Sequence, residues 1–276
     1  MATVRCPAHT FENIQAVIFD KDGTLANVEA YLIRLGEVRS QLTALQIPAP
    51  QAQQDALQSS FLTAFGLKNG AIAPAGLLAV GSRHENEIAL AAYIAATGIG
   101  WIAALALVQT AFQQADKVLS PKVTQTPLLP GVLSLLQQLE QAGVQSVILS
   151  ADTHHEVAAF VQHYQLTEIS WYRGASANSL PKTHPDALKS ACEALNVRPD
   201  QTLVIGDSAA DLALAHQGSA RFLGMTGGWK QPPHISAPAN TLDGAPNSAS
   251  DTSAISAHSD LAVASTSSLR QVECFK

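Results

Sequence analysis

"QAVIFDKDGTLAN", residues 15–27, runs from an uncharged apolar stretch straight into Asp20-Lys21-Asp22-Gly23-Thr24. Ala16, Val17, Ile18 and Phe19 show no polar alternation, which is the pattern of a short strand covered on both faces. The Asp-Gly pair directly behind it marks a turn. Two carboxylates therefore stand at the mouth of a buried strand, and the fold depends on what they are for.

Comparable short runs recur at Gln145–Ser150, Thr202–Asp207 and Ala220–Thr226, with a weaker one at Ile169–Arg173. Between them lie "GVLSLLQQLEQAG", "HEVAAFVQHY", "PDALKSACEALN" and "ADLALAHQG", all with helical spacing of apolar residues. Strand and helix in alternation predict an α/β fold, a Rossmann-like three-layer core whose parallel sheet carries helices on both faces. The alternation begins at residue 15, stops after Leu25 and resumes near Leu128. The residues between, including "VEAYLIRLGEVRSQLTAL" and "QQDALQSSFLTAF", are helical in pattern. Residues 27–126 thus read as an inserted all-helical domain, and 1–26 with 127–276 as a discontinuous core. Residues 230–259, rich in Ser, Ala, Pro and Asn, have little to bury and read as a flexible loop. "DLAVASTSSLRQV" behind them is expected to rejoin the core as a last short strand and helix.

The chain has 276 residues, enough for a large core, and at 47% hydrophobic and 14% charged it is globular in composition. A formal charge of −6 without a basic cluster argues against nucleic acid or a polyanion as partner and points to a small ligand. Cys6, Cys192 and Cys274 are odd in number and lack metal-ligand spacing, so a reducing cytoplasm fits best. The opening "MATVRCPAHTFENI" has no apolar stretch of signal-peptide type. Ile88–Val108 is uncharged and long enough for a membrane span, which needs roughly 20 apolar residues. Its break at Thr97-Gly98-Ile99-Gly100 favours instead two buried helices joined by a turn, and no membrane association is expected.

In an open parallel sheet, ligands bind beyond the carboxyl ends of the strands. Asp20, Ser150 and Asp207 each close a predicted strand and should face one crevice. An EF-hand calcium loop starting at Asp20 would want Glu at its twelfth position, where Tyr31 stands. A plain Asp-Gly turn would suffice locally. "VILSAD", "PKTHPDAL" and "VIGDSAADLALA", however, follow "DKDGTL" in order. As a set these four stretches resemble the haloacid dehalogenase-like superfamily, and within it the phosphatases with a helical cap inserted after the first motif. The resemblance covers about residues 14–26 and 127–229; residues 27–126 match the cap in position and helical character.

The resemblance implies a role for each matching residue. Asp20 corresponds to the nucleophile that forms an aspartyl phosphate, and a carboxylate suits this because it is ionised at neutral pH without activation. Asp22 corresponds to the general acid/base; dehalogenases of the superfamily lack this second Asp, so phosphoryl transfer is implied. Magnesium would be held by the Asp20 side chain, the Asp22 carbonyl and Asp207, an all-oxygen set of the kind the ion prefers. Asp211 is a further candidate ligand, although Ser208-Ala-Ala-Asp211 also reads as a capping box. Ser150 and Lys182 match the phosphate-binding residues, and Thr24 is expected to donate a hydrogen bond there. The family's Lys-Pro-x-Pro is here Lys182-Thr183-His184-Pro185, without the first proline. "THHE", Thr153 to Glu156, signals a helix start behind Ser150 whose free amides would face the crevice.

Within the cap, Arg83, His84 and Glu85 are candidates for specificity toward the organic part of the substrate; the cluster reads equally as a solvated helix start. His154, His155 and His163 read as helix-surface residues. The implied activity is a magnesium-dependent phosphatase for a small phosphorylated metabolite, similar to phosphoglycolate phosphatases. A sugar-phosphate phosphomutase, or a non-catalytic binding protein retaining the fold, are the alternatives.

Overall fold

The computed structural model describes residues 2–176, 180–184, 186–235 and 264–276. The chain opens with β1 (Ala2–Cys6) and β2 (His9–Ile14), followed by β3 (Ala16–Phe19). Then come α1 (Glu29–Leu45), α2 (Gln51–Phe65), β4 (Leu67–Lys68), β5 (Ala71–Ile72), α3 (Leu77–Val80), α4 (Arg83–Ala95) and α5 (Trp101–Leu119). The remainder is α6 (Val132–Gln141), β6 (Gln145–Thr153), α7 (His154–His163), β7 (Ile169–Ala175), α8 (Ala187–Leu195), β8 (Thr202–Gly206), α9 (Ala209–Gln217), β9 (Arg221–Met225), β10 (Ala264–Thr266) and β11 (Glu273–Phe275).

Six strands form one sheet in the order β10-β9-β8-β3-β6-β7, and every neighbouring pair is parallel. The apolar run of β3 explains its central place. Val17 and Phe19 point into one cluster with Leu135, Leu136 and Leu139 of α6 and Val157 and Phe160 of α7. Ala16 and Ile18 point into the other, with Ala187, Leu188 and Ala191 of α8 and Leu212 of α9. Successive side chains on a strand face opposite sides, so a strand between two helical layers must be apolar at every position. The three-layer α/β core predicted from the sequence is present.

Three expectations need correction. The strands start before residue 15: β1 and β2 form an antiparallel hairpin, to which β11 adds a third strand. In β1 the buried positions alternate, Ala2, Val4 and Cys6, the period of a strand with one wet face. The segment 27–126 is not all-helical, because β4 and β5 pair in a short ladder. The expected terminal helix is only a 3-10 turn, Leu269–Gln271, between β10 and β11. Of the expected loop 230–259, residues 236–259 lie outside the described residues, as does Pro185.

Ile88–Val108 divides as anticipated between α4 and α5, with Gly98 at φ +96° in the turn. Among the described residues no helix is long and apolar enough to cross a membrane. Helices α1, α2, α4 and α5 pack on one another around Phe61, Phe65, Leu90, Ile94 and Phe112, all fully buried. The two crossings between these helices and the sheet run side by side: the Asn27 amide donates to Pro127 O (2.8 Å) and the Leu129 amide to Leu25 O (2.8 Å).

Gly131, at the start of α6, has φ +97°, and a Cβ there would lie 2.4 Å from the Arg270 backbone nitrogen. Gly143, φ +76°, faces open space. Gly131→Ala is expected to cost more than Gly143→Ala, about 3 kcal/mol against about 1 kcal/mol in urea unfolding, because only the former adds a backbone clash to the left-handed strain.

Candidate active site

Strand β3 is in register with β6 and β8, Phe19 facing Ile148 on one side and Ile205 on the other. The Asp20 amide donates to Ile205 O at 2.9 Å, which fixes Asp20 at the carboxyl edge of the sheet. The chain then doubles back, with the Leu25 and Ala26 amides both donating to Lys21 O. Gly23 makes this turn at φ +84°, where a Cβ would sit 2.4 Å from Asp207 Oδ2. Asp207 closes β8, and Asp211 stands in the first turn of α9. Asp20, Asp207 and Asp211 are all buried, each with a carboxylate oxygen within 4.8 Å of the others'.

Lys182 reaches into this group. Its Nζ lies 2.5 Å from Asp20 Oδ1 and 2.5 Å from Asp211 Oδ1. The other oxygen of Asp211 accepts from the Ser208 amide (3.0 Å) and hydroxyl (2.6 Å), completing the capping box expected from the sequence. Among the described residues, no ion pair joins Asp207 to a lysine or arginine. Its Oδ1 accepts from Thr24 Oγ1 (3.3 Å) and its Oδ2 from Trp229 Nε1 (2.6 Å). Thr24, fully buried, thus turns its hydroxyl toward Asp207, where a phosphate contact was expected.

The electrostatics follow from burial and crowding. Burial pushes the Asp20 carboxyl up to about 6; Lys182 opposes this, while Asp211 and Asp22 add to it. Asp207 is raised well above the carboxylate range by burial and by the negative charges of Asp20 and Asp211. Burial alone would depress Lys182, but the two carboxylates it touches outweigh it and hold the ammonium above its ordinary range. Three carboxylates against one ammonium leave negative charge uncompensated, and every donor is a hard oxygen. That is the chemistry of a site for a hard divalent cation.

A second group adjoins it. Asp22 pairs through Oδ1 with Lys21 and through Oδ2 with Lys122 (2.8 Å). Asp152 Oδ2 meets Lys122 at 2.6 Å and Lys21 at 3.0 Å. Burial would raise Asp152, but Lys122 and Lys21 dominate and hold it well below the carboxylate range. Ser150, also buried, accepts from the Asp152 amide at 3.1 Å. Helix α7 starts directly behind, capped by Thr153, which accepts from the Glu156 amide at 3.2 Å.

Asp20, Asp207, Asp211 and Lys182 are therefore brought into contact, with Thr24 beside them. The sequence reasoning passed over Lys21, Lys122, Asp152 and Trp229. Trp229 had a signal: Gly227-Gly228 follows a buried strand, and a Cβ on Gly228 would lie 1.8 Å from Gly23 O, so the tryptophan loop packs on the Asp-Gly turn. Lys122 had none, because a lysine 100 residues from Asp22 looks like any surface charge. The specificity candidates are placed elsewhere. Arg83 pairs with Glu87 (2.7 Å) and with Asp116, and Glu85 closes a capping box with Ser82. His84 is exposed, and among the described residues no hydrogen bond or ion pair joins Arg83 or His84 to the group around Asp20.

A family model for haloacid dehalogenase-like hydrolases matches residues 14–218. The chain belongs to this family. Among curated relatives, it is 27% identical over 236 residues to phosphoglycolate phosphatase 1 of Pseudomonas aeruginosa, covering 82% of this chain and 74% of the relative. It is 25% identical to a phosphoglycolate phosphatase of Pseudomonas putida, over 50% of this chain and about half (49%) of that relative's length. Among solved structures, a predicted phosphoglycolate phosphatase from Haemophilus somnus shares the fold with a TM-score of 0.57 at 18% identity, covering 80% of this chain and 89% of the other.

A carboxyl group raised on folding contributes stability that is complete below its unfolded value near 4 and is lost as pH climbs through its folded value. For Asp20 that window runs from about 4 to about 6. Asp152, depressed on folding, contributes in the opposite sense and only below this window. Relative to Asp20→Asn, the cation-free protein is expected to lose on the order of 2 kcal/mol between pH 4 and 7, and an excess of a divalent cation should restore it. Denaturant unfolding across this pH range, with and without the cation, measures both.

Proposed function

We propose that this chain is a magnesium-dependent phosphatase that hydrolyses a phosphate monoester of a small soluble metabolite, with Asp20 as the nucleophile. The observation that carries the reading is the convergence of Asp20, Asp207 and Asp211 on one another with Lys182 between two of them. Phosphoryl transfer needs positioning and positive charge around the transferring group more than it needs covalent chemistry from the protein. Asp20, Asp207 and the carbonyl of Asp22 would hold magnesium, with Asp211 in support, and the ion supplies charge against the phosphoryl oxygens when bound.

In this reading Asp20 attacks phosphorus while Lys182 reduces the repulsion between the two anions. The Ser150 hydroxyl and the first amides of α7 bind the non-bridging oxygens, the usual use of a helix N-terminus. Asp22 protonates the departing alkoxide and then draws the proton from the water that cleaves the aspartyl phosphate. Thr24 and Trp229 keep Asp207 oriented. Residues 27–126 act as a cap over this site, hinged where the crossings run together at Ala26–Asn27 and in the stretch 121–130. Free Cys6, Cys192 and Cys274 fit a cytoplasmic enzyme. The names of the curated relatives make 2-phosphoglycolate the first ester to try.

A panel of phosphate monoesters assayed for magnesium-dependent phosphate release tests the reading. Purified protein should release phosphate from at least one alkyl ester, and chelation should abolish it. Asp20→Asn should lower kcat by about a thousandfold or more. Undiminished turnover in that variant would remove Asp20 from the role.

A further inference from the structure

Asp22 is held at both oxygens, but by lysines of different origin. Lys21 is its neighbour in the same turn and moves with it. Lys122 comes from 100 residues away, at the start of the 3-10 turn Lys122–Gln125 that leads from α5 back to the sheet. Its side chain is only 11% exposed, lies 5.6 Å from the centre of the Tyr31 ring on α1, and is anchored on its far side by Asp152 of β6. Tyr31 and Lys122 belong to opposite ends of the inserted segment, and Asp152 to the sheet. The orientation of the Asp22 carboxyl is therefore set jointly by the insert and the core.

An exposed lysine pairing with a carboxylate would contribute little. Here the pairs are short, largely shielded from water and shared between two carboxylates, so loss of the lysine leaves both acids short of a partner. A proton donor must lie within hydrogen-bond reach of the leaving oxygen, and a misplacement near 1 Å costs about a hundredfold. We propose that Lys122 is a positioning residue for Asp22, fixing the proton donor through the salt bridge it shares with Asp152 and tying that geometry to the seating of the insert. This rests on the phosphatase reading. It goes beyond it in giving a residue of the insert's return segment a part in leaving-group departure, separate from phosphate binding by Lys182.

The test is leaving-group dependence. The parameter kcat/KM covers the steps up to release of the leaving group. An alkoxide needs a proton at that point, whereas p-nitrophenolate leaves without one. In Lys122→Met, kcat/KM for the best alkyl phosphate should fall by about tenfold to a hundredfold, and for p-nitrophenyl phosphate by less than about threefold. Asp152→Asn, nearly isosteric, should show the same selective loss to a smaller degree, and it decides the matter if Lys122→Met does not fold by circular dichroism. Equal losses on both esters would mean that Lys122 serves phosphate binding or general structure, and no loss would mean that it is idle; either overturns the proposal. A wild-type chain that hydrolyses neither ester overturns the phosphatase reading and the positioning role with it. Wild-type activity with an unselective Lys122 variant overturns only the latter.

Discussion

Three buried carboxylates within 4.8 Å of one another cannot all be ionised without positive charge among them. Lys182 supplies part of it by bridging Asp20 and Asp211, and Asp207 is left to neutral donors from Thr24 and Trp229. That imbalance is built into the fold. Asp20 and Asp207 close adjacent parallel strands whose register is fixed by backbone pairing, and Asp211 is held by its own helix cap. The sheet brings the negative charges together, and one lysine offsets only part of them.

The surrounding packing serves this constraint at short range. Gly23 admits Asp207 where any Cβ would collide with it, Gly206 does the same for Asp211, and Gly228 lets the Trp229 loop lie against Gly23. Beneath them, Phe19 and Ile18 anchor β3 in opposite layers of the core, so the tip of the strand has little freedom to retreat from the crowding. Lys21, Asp22, Lys122 and Asp152 form an adjoining cluster of balanced formal charge, which contrasts with the deficit around Asp207. One cluster is balanced in formal charge and the other is not.

Much of this was legible in the sequence because it is local. The run Ala16–Phe19 has one physical reading, and Asp20 and Asp207 are placed by where strands end, whereas Ser150, expected to close a strand, lies inside β6, which runs on to Thr153. The Ser208–Asp211 capping box is a spacing rule, and it was met. What escaped depends on distant pairing. The β1–β2 hairpin is short, and its alternation is interrupted by Pro7-Ala8; β4 and β5 are two residues each, too brief for any periodicity. Thr24 was expected to donate a hydrogen bond to the phosphate site; its hydroxyl donates to Asp207 Oδ1, a partner 183 residues away. Arg83 looked available for a ligand until folding set it beside Asp116, a partner 33 residues away.

The central claim is that this carboxylate group takes up one divalent cation, and calorimetric titration of the purified chain with magnesium tests it most directly. The account predicts saturable binding of one ion per chain that is lost, or weakened by about tenfold or more, in Asp207→Asn, where one of the few hard oxygen donors is neutralised. No saturable binding to the folded wild-type chain, or affinity unchanged in Asp207→Asn, would contradict it.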